Sequence, residues 1–269
     1  MSTLPKQIND AVEYILENLE NNITVKDIAD HCHFSEFYFN RMFKSFTGES
    51  VYAFIKRRRL EKSAFDLSTK RESSITDIAL QYGYSSSNYS VAFKKHYNES
   101  PHGFKKTRSE KSTIVLDDYD YYDTKIRTEK IDTFTMIYER YIGNYKNMSF
   151  QWDDYIERHK PYRNANSVFV ELSYDDPIIT DEERCIYDLG MMKYSSLPEN
   201  TLTQTIPGGT YKVFQFKGHV SQLLATYQGL FQVWLLQSGI SLGHRKIFQL
   251  YRSVDCDTQH MTIDIYIPC

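Results

Sequence analysis

Two helix faces carry the side chains whose types and spacing suggest chemistry. In the first, Phe37, Asn40, Arg41 and Lys44 recur at 3-and-4 spacing, opposite an apolar set of Phe39, Met42, Phe43 and Phe46. In the second, Ser87, Ser90, Val91 and Lys94 stand opposite Tyr89, Ala92, Phe93 and Tyr97. The apolar sets turn to a core, so the polar sets are left to face a partner. Two such helices, each following a tight turn, suit the major groove of double-stranded DNA. Other chemistry is weakly signalled. Glu171, Asp188 and His219 supply carboxylates and an imidazole, but no spacing ties them together, so a hydrolase stays an alternative, as does a ligand-free protein-interaction module. His31-Cys32-His33 looks metal-like, yet adjacent residues point in different directions. The four cysteines stand far apart with no C-x-x-C, so no metal, cofactor or disulfide framework is expected.

The elements that must position the two faces are repeated. The segment from Thr24 to Phe54 recurs without a gap as Ser74 to Phe104, with identities at Asp27/Asp77, Ile28/Ile78, Ala29/Ala79, Phe43/Phe93, Glu49/Glu99 and Phe54/Phe104. Each copy opens on a capping signal, Thr24-x-x-Asp27 or Ser74-x-x-Asp77. The turn falls at His33-Phe34-Ser35 or Gly83-Tyr84-Ser85, where glycine tolerates positive φ and histidine does so at a cost. Ile8, Val12, Ile15, Leu16 and Leu19 predict a lead-in helix, and Ser50 to Leu67 a longer one between the copies. On that helix, the run Arg57-Arg58-Arg59 leans toward phosphate contact.

Charge separates the halves. Residues 1–112 hold 17 lysines and arginines against 14 acids, a net +3, whereas 113–269 hold 15 against 21, a net −6. The basic half suits a polyanion and the acidic half does not. The sequence has no apolar run near 18 residues and no signal pattern, so the expected setting is a reducing cytoplasm with no membrane partner.

The lead-in helix, both helix-turn-helix units, their connector and the ending Ser100-Pro101-His102-Gly103-Phe104 resemble the DNA-binding domain of AraC/XylS-type transcription regulators, over a domain set at 1–107. The resemblance implies that both second helices enter successive major grooves, with contact to RNA polymerase expected and activation the commoner outcome. Carried over by position, it brings Glu36, Phe37, Asn40, Arg41 and Lys44 of the first unit, and Ser86, Ser87, Asn88, Ser90 and Lys94 of the second, to the duplex. Arg41 suits a guanine and Asn40 an adenine, while Val91 stands where many relatives have arginine and touches at most a thymine methyl.

Residues 108–128, with the acidic, tyrosine-rich run Asp117 to Asp123, read as an exposed linker. From 129 to 269 the pattern becomes strand, helix, strand, strand, twice over. Thr133 to Tyr141, Phe150 to His159, Ser167 to Tyr174 and Arg184 to Met192 form one set; Thr210 to Phe216, Val220 to Leu236, Lys246 to Arg252 and Met261 to Ile267 form the other. The fold class is therefore multidomain: an all-α DNA-binding domain, then an α+β domain with an antiparallel sheet and helices on one side.

Tyr174-Asp175-Asp176-Pro177 with Tyr187-Asp188, Gly208-Gly209-Thr210-Tyr211 with Tyr227 and Trp234, and Ile263-Asp264-Ile265-Tyr266-Ile267-Pro268 resemble the GyrI-like effector-binding domains. Such domains bind lipophilic, often cationic, small molecules on the axis relating their halves. The family's glutamate after the third-strand phenylalanine is here Gln249, and an internal offset of 78 residues places Glu171 at the equivalent position. Glu171 is therefore expected to supply the negative charge, with Gln249, Trp234, Tyr211, Tyr187, Tyr251, Trp152 and Tyr145 as candidate lining.

The exposed sets make the two reading helices unequal. Arg41→Ala should relax base preference at its half-site by about 1–3 kcal/mol, and Val91→Ala should change binding little. Competition assays against operator variants measure both, and equal losses would show the inequality to be wrong.

Overall fold

The computed structural model describes residues 5–70, 72–114, 119–193, 201–243 and 245–269. It divides into two compact units, Met1–Lys111 and Ser112–Cys269.

The described part of the first unit is helical: α1 (Lys6–Glu17), α2 (Val25–His31), α3 (Glu36–Thr47), α4 (Val51–Thr69), α5 (Ile75–Gln81), α6 (Ser86–Tyr97) and α7 (Pro101–Ile114). Both expected capping boxes form, Thr24 with Asp27 and Ser74 with Asp77, so each short first helix starts with its orphan N–H groups satisfied. Both turns need the left-handed region: φ is 59° at His33 and 76° at Gly83. The repeat extends to ring geometry. Phe43 meets Phe54 edge-on at 5.2 Å, and their equivalents Phe93 and Phe104 meet edge-on at 5.3 Å.

Helix α4 holds the two copies together through polar groups as well as its apolar stripe. Arg57 bridges Glu49 at 2.6 Å and Glu61 at 3.0 Å, and Arg58 adds a second contact to Glu61. Arg59 donates to the carbonyls of Leu19 and Asn21 beyond the end of α1. The expected lean of this run toward phosphate is thus corrected: Arg57 and Arg58 are buried ion-pair partners, and Arg59 ties down the lead-in helix. From the other copy, Tyr82 donates to Asp66 and Tyr89 to Ser63, both at 2.9 Å. These contacts clamp α5 and α6 onto the same helix.

The second unit contains one antiparallel eight-stranded sheet of order β1-β6-β8-β7-β3-β4-β2-β5. Its strands are β1 (Ile126–Ile131), β2 (Phe134–Ile142), β3 (Phe169–Ser173), β4 (Ile186–Met192), β5 (Thr203–Ile206), β6 (Gly209–His219), β7 (Phe248–Asp255) and β8 (His260–Pro268). β1 and β2 lie six places apart in that order, yet only Asp132 and Thr133 join them. That link spans at most about 11 Å, so the sheet must curl until its ends meet. Pro207 and Gly208 join β5 to β6 in the same way, and Gly208 N–H donates to Thr133 Oγ1 at 2.9 Å where the crossings touch. A Cβ on Gly208 would meet Thr133 N at 2.6 Å, so the curl requires glycine there.

Inside the curl, Tyr211, Phe248, Tyr266, Leu250 and Val170 form a core. The other sheet face carries α9 (Met148–Arg158) after β2, and after β6 a helical stretch of α10 (Leu223–Gln228), a π segment Gly229–Trp234 and α11 (Leu235–Ser238). The last replaces the single helix expected over Val220 to Leu236. A Cβ on Gly229 would meet the Tyr122 hydroxyl at 1.9 Å, so this helix opens where Tyr122 presses on it.

Tyr122 belongs to α8 (Tyr119–Asp123), which lies inside the span 108–128 expected to be an exposed linker. Helix α7 runs on to Ile114, and Asp117 and Asp118 lie outside the described residues. Tyr122 is buried with Phe214, Leu230 and Trp234, and β1 already pairs with β6 from Ile126. Among the described residues no helix is long and apolar enough to cross a membrane.

Candidate functional site

On α3, Glu36, Phe37, Arg41 and Lys44 are exposed and Asn40 half-buried, while Phe39 and Phe43 of the same helix are buried. Phe37 is 81% exposed, so the helix carries a large apolar side chain where it would face the groove. On α6, Ser86, Ser87, Asn88, Ser90 and Lys94 are exposed and Val91 is 70% exposed. All three of those hydroxyls are occupied locally: Ser90 donates to the Ser86 carbonyl at 3.0 Å, Ser86 to Thr76 Oγ1 at 3.4 Å, and Ser87 shares a bond with Ser85 Oγ at 3.4 Å. The first face offers a guanidinium and a carboxamide, the second mainly short hydroxyls.

The second site lies on the pseudo-twofold axis of the curled sheet. β3 and β7 are its central pair, and Glu171 stands directly opposite Gln249 in their register. Alternation along each strand turns Val170 and Leu250 into the curl and Glu171, Ser173, Gln249 and Tyr251 toward the helices. Glu171 is 3% exposed. Its Oε1 accepts from Ser173 Oγ at 2.9 Å and from Gln249 Nε2 at 3.2 Å, and its Oε2 accepts a short bond from the Tyr251 hydroxyl. Burial pushes the carboxyl above its usual range, and the bonds from Tyr251, Ser173 and Gln249 offset only part of that.

An aromatic group surrounds this carboxylate. Trp152 meets Tyr251 edge-on at 5.2 Å, and Tyr145 lies 5.0 Å from Tyr187. Burial and the negative charge of Glu171 hold the Tyr251 and Tyr227 hydroxyls well above their usual range. The Tyr227 hydroxyl is buried with no hydrogen-bond partner among the described residues. Burial first, with help from Glu171, pushes Tyr187 up to about 12.

Six of the eight candidate residues thus come together: Glu171, Gln249, Tyr251, Trp152, Tyr145 and Tyr187. Tyr211 does not, because its strand position turns it into the curl, against Phe248 at 5.3 Å and Tyr266 at 6.0 Å. Trp234 does not supply a free indole N–H. It is 1% exposed, packs on Tyr122 and Phe214, and donates to Asp123 at 3.0 Å. Ser173 and Tyr227 join the group without being among the eight candidates. The first is legible as the residue two places after Glu171 on the same strand face, and the second is one of the residues on which the GyrI-like resemblance rests.

The acid-base trio considered for hydrolysis does not converge. Asp188 is on the opposite sheet face, in a fully buried pair with Arg140 at 2.7 Å, and His219 ends β6 bonded to Ser221. Among the described residues no group of three or more metal-ligating side chains could hold an ion.

These two units together define a DNA-binding regulator with a separate small-molecule domain. Residues 28–107 match the helix-turn-helix domain family, and residues 124–269 match the GyrI-like small molecule binding domain family. The chain belongs to the AraC family of transcription regulators and carries a GyrI-like domain. It is similar to the probable transcription factor PqrA of Proteus vulgaris, 36% identical over 101 residues, which are 36% of this chain and 82% of that one. It is also similar to the transcriptional regulator Rob of Salmonella typhimurium, 35% identical over 35% of this chain; that match spans 32% of Rob's length. The solved C-terminal domain of EcmrR aligns with 53% of this chain and 95% of its own, at 17% identity and a TM-score of 0.44.

The raised carboxyl has a consequence for stability. Glu171 ionises less readily in the folded chain than in the unfolded one, so its contribution is fully present below about pH 4.5 and is lost as pH rises through the folded value. Glu171→Gln should therefore raise the melting temperature of the ligand-free protein at pH 7, by about 2–4 °C per kcal/mol relieved. That gain should shrink toward pH 4.5, and calorimetric scans across this range check both the sign and the trend.

Proposed function

We propose that the chain is a cytoplasmic transcription activator whose second unit binds a lipophilic cation at Glu171 and thereby changes how the first unit engages DNA and RNA polymerase. One observation carries the cation. Six acids are buried among the described residues, and five have a cationic partner: Glu61 with Arg57, Asp66 with Lys70, Glu139 with Arg158, Asp188 with Arg140, and Asp264 with Arg127 and Arg252. Glu171 has none among them. A desolvated carboxylate held only by neutral donors, in an aromatic setting, is arranged for a charge that arrives from outside.

The bulged helix supports a route of coupling. Tyr227 lies in α10 beside Glu171, the π segment follows it, and Tyr122 of α8 packs against that segment at Gly229. Helix α8 is the first described element of the second unit, so a ligand that shifts Tyr227 shifts the point where the chain enters the domain. The coupling is reciprocal, and operator DNA should change effector affinity by the same factor.

Titration calorimetry of the full chain with aromatic cations and their neutral isosteres tests the reading. The cations should bind in preference, and Glu171→Gln should weaken them at least tenfold while leaving the neutral compounds unchanged. Unchanged cation affinity in that variant would end the proposal.

A further inference from the structure

The chemistry of the axis pair narrows the effector further, on the reading that Glu171 receives its charge. Gln249 is 1% exposed. Its Nε2 donates to Glu171 at 3.2 Å and faces Ser173 Oγ at 3.5 Å. Turning the amide over would set its carbonyl oxygen against the carboxylate, acceptor against acceptor, so Glu171 fixes which way Gln249 points. The remaining atom, Gln249 Oε1, is buried and has no hydrogen-bond partner among the described residues. The two atoms of one amide lie about 2.2 Å apart, which keeps this orphan acceptor within about 5.5 Å of the carboxylate oxygen.

Charge and hydrogen bonding therefore point to the same missing group. A buried acceptor without a donor costs free energy, and a ligand that brings a donor recovers it. Quaternary ammonium and phosphonium ions bring charge and apolar surface but no N–H. A protonated amine, amidinium or guanidinium brings charge and donors together. From the orphaned Gln249 carbonyl beside the unpaired Glu171 carboxylate, we infer that this domain selects aromatic cations that carry N–H donors over permanently alkylated ones. A glutamate at 249 would add a second negative charge and lose the directed donor to Glu171. The glutamine makes the site a monocation site with a built-in acceptor.

The test uses the full chain and one matched pair, 1-naphthylmethylammonium and its N,N,N-trimethyl counterpart, titrated by calorimetry at pH 7. The trimethyl ion is more lipophilic and easier to desolvate, so nonspecific apolar binding would favour it. The wild-type chain should instead bind the primary ammonium at least tenfold more tightly. Gln249→Leu should bring the two affinities within about threefold, and Glu171→Gln should weaken both. A wild-type chain that binds the trimethyl ion as tightly as the primary one would overturn this inference and leave the cation reading standing. Binding of neither probe would overturn both. Should Gln249→Leu not fold, the wild-type comparison decides alone.

Discussion

Glu171, the one buried carboxylate without a counter-ion among the described residues, is the constraint on which the second unit depends. Elsewhere this protein neutralises its interior acids carefully: Arg140 grips Asp188 with both partners fully buried, and Arg127, Arg252 and Gln215 converge on Asp264. At Glu171 it uses only neutral donors. Internal duplication explains the location. A pseudo-twofold fold places one pair of residues on its axis, where both helices cover the sheet. The two members of that pair differ here, a carboxylate on one half and an amide on the other. A symmetric pair of carboxylates would repel, and a symmetric pair of amides would hold no charge.

The first unit shows the opposite use of buried charge. Arg57, Arg58, Glu49 and Glu61 form a network in which cation and acid are both present. This network, with the Tyr82–Asp66 and Tyr89–Ser63 bonds, makes α4 a fixed spacer for the two reading helices. Their spacing is set by packing within the unit, while the inequality between them lies in the residues opposite the packed face, Asn40 and Arg41 against Ser90 and Val91.

Much of this organisation was legible in the sequence. The fifty-residue repeat gives both helix-turn-helix units, and the caps at Thr24 and Ser74 follow from hydroxyl-to-acid spacing. The 78-residue offset pairs Glu171 with Gln249, as the strand register does. Three features escaped for physical reasons. β1 and β5 are short edge strands whose alternation is weak, and their pairing with the other half is a crossing that local pattern does not encode. Tyr119–Asp123 reads as polar, yet one buried tyrosine ties it to the bulged helix. Tyr211 and Trp234 satisfy an aromatic composition argument, but which face a side chain takes depends on strand register and on partners such as Asp123.

The most direct measurement of the central claim is the ionisation of Glu171 itself, followed by carbon NMR of the side-chain carboxyl as pH is varied, with and without a saturating aromatic ammonium. In the free protein the carboxyl should titrate above the usual glutamate range, because it is desolvated and has no cationic partner. With the ammonium bound it should fall to or below that range, with a matching release of protons. A Glu171 that titrates normally when free, or whose titration is indifferent to the bound cation, would contradict the account.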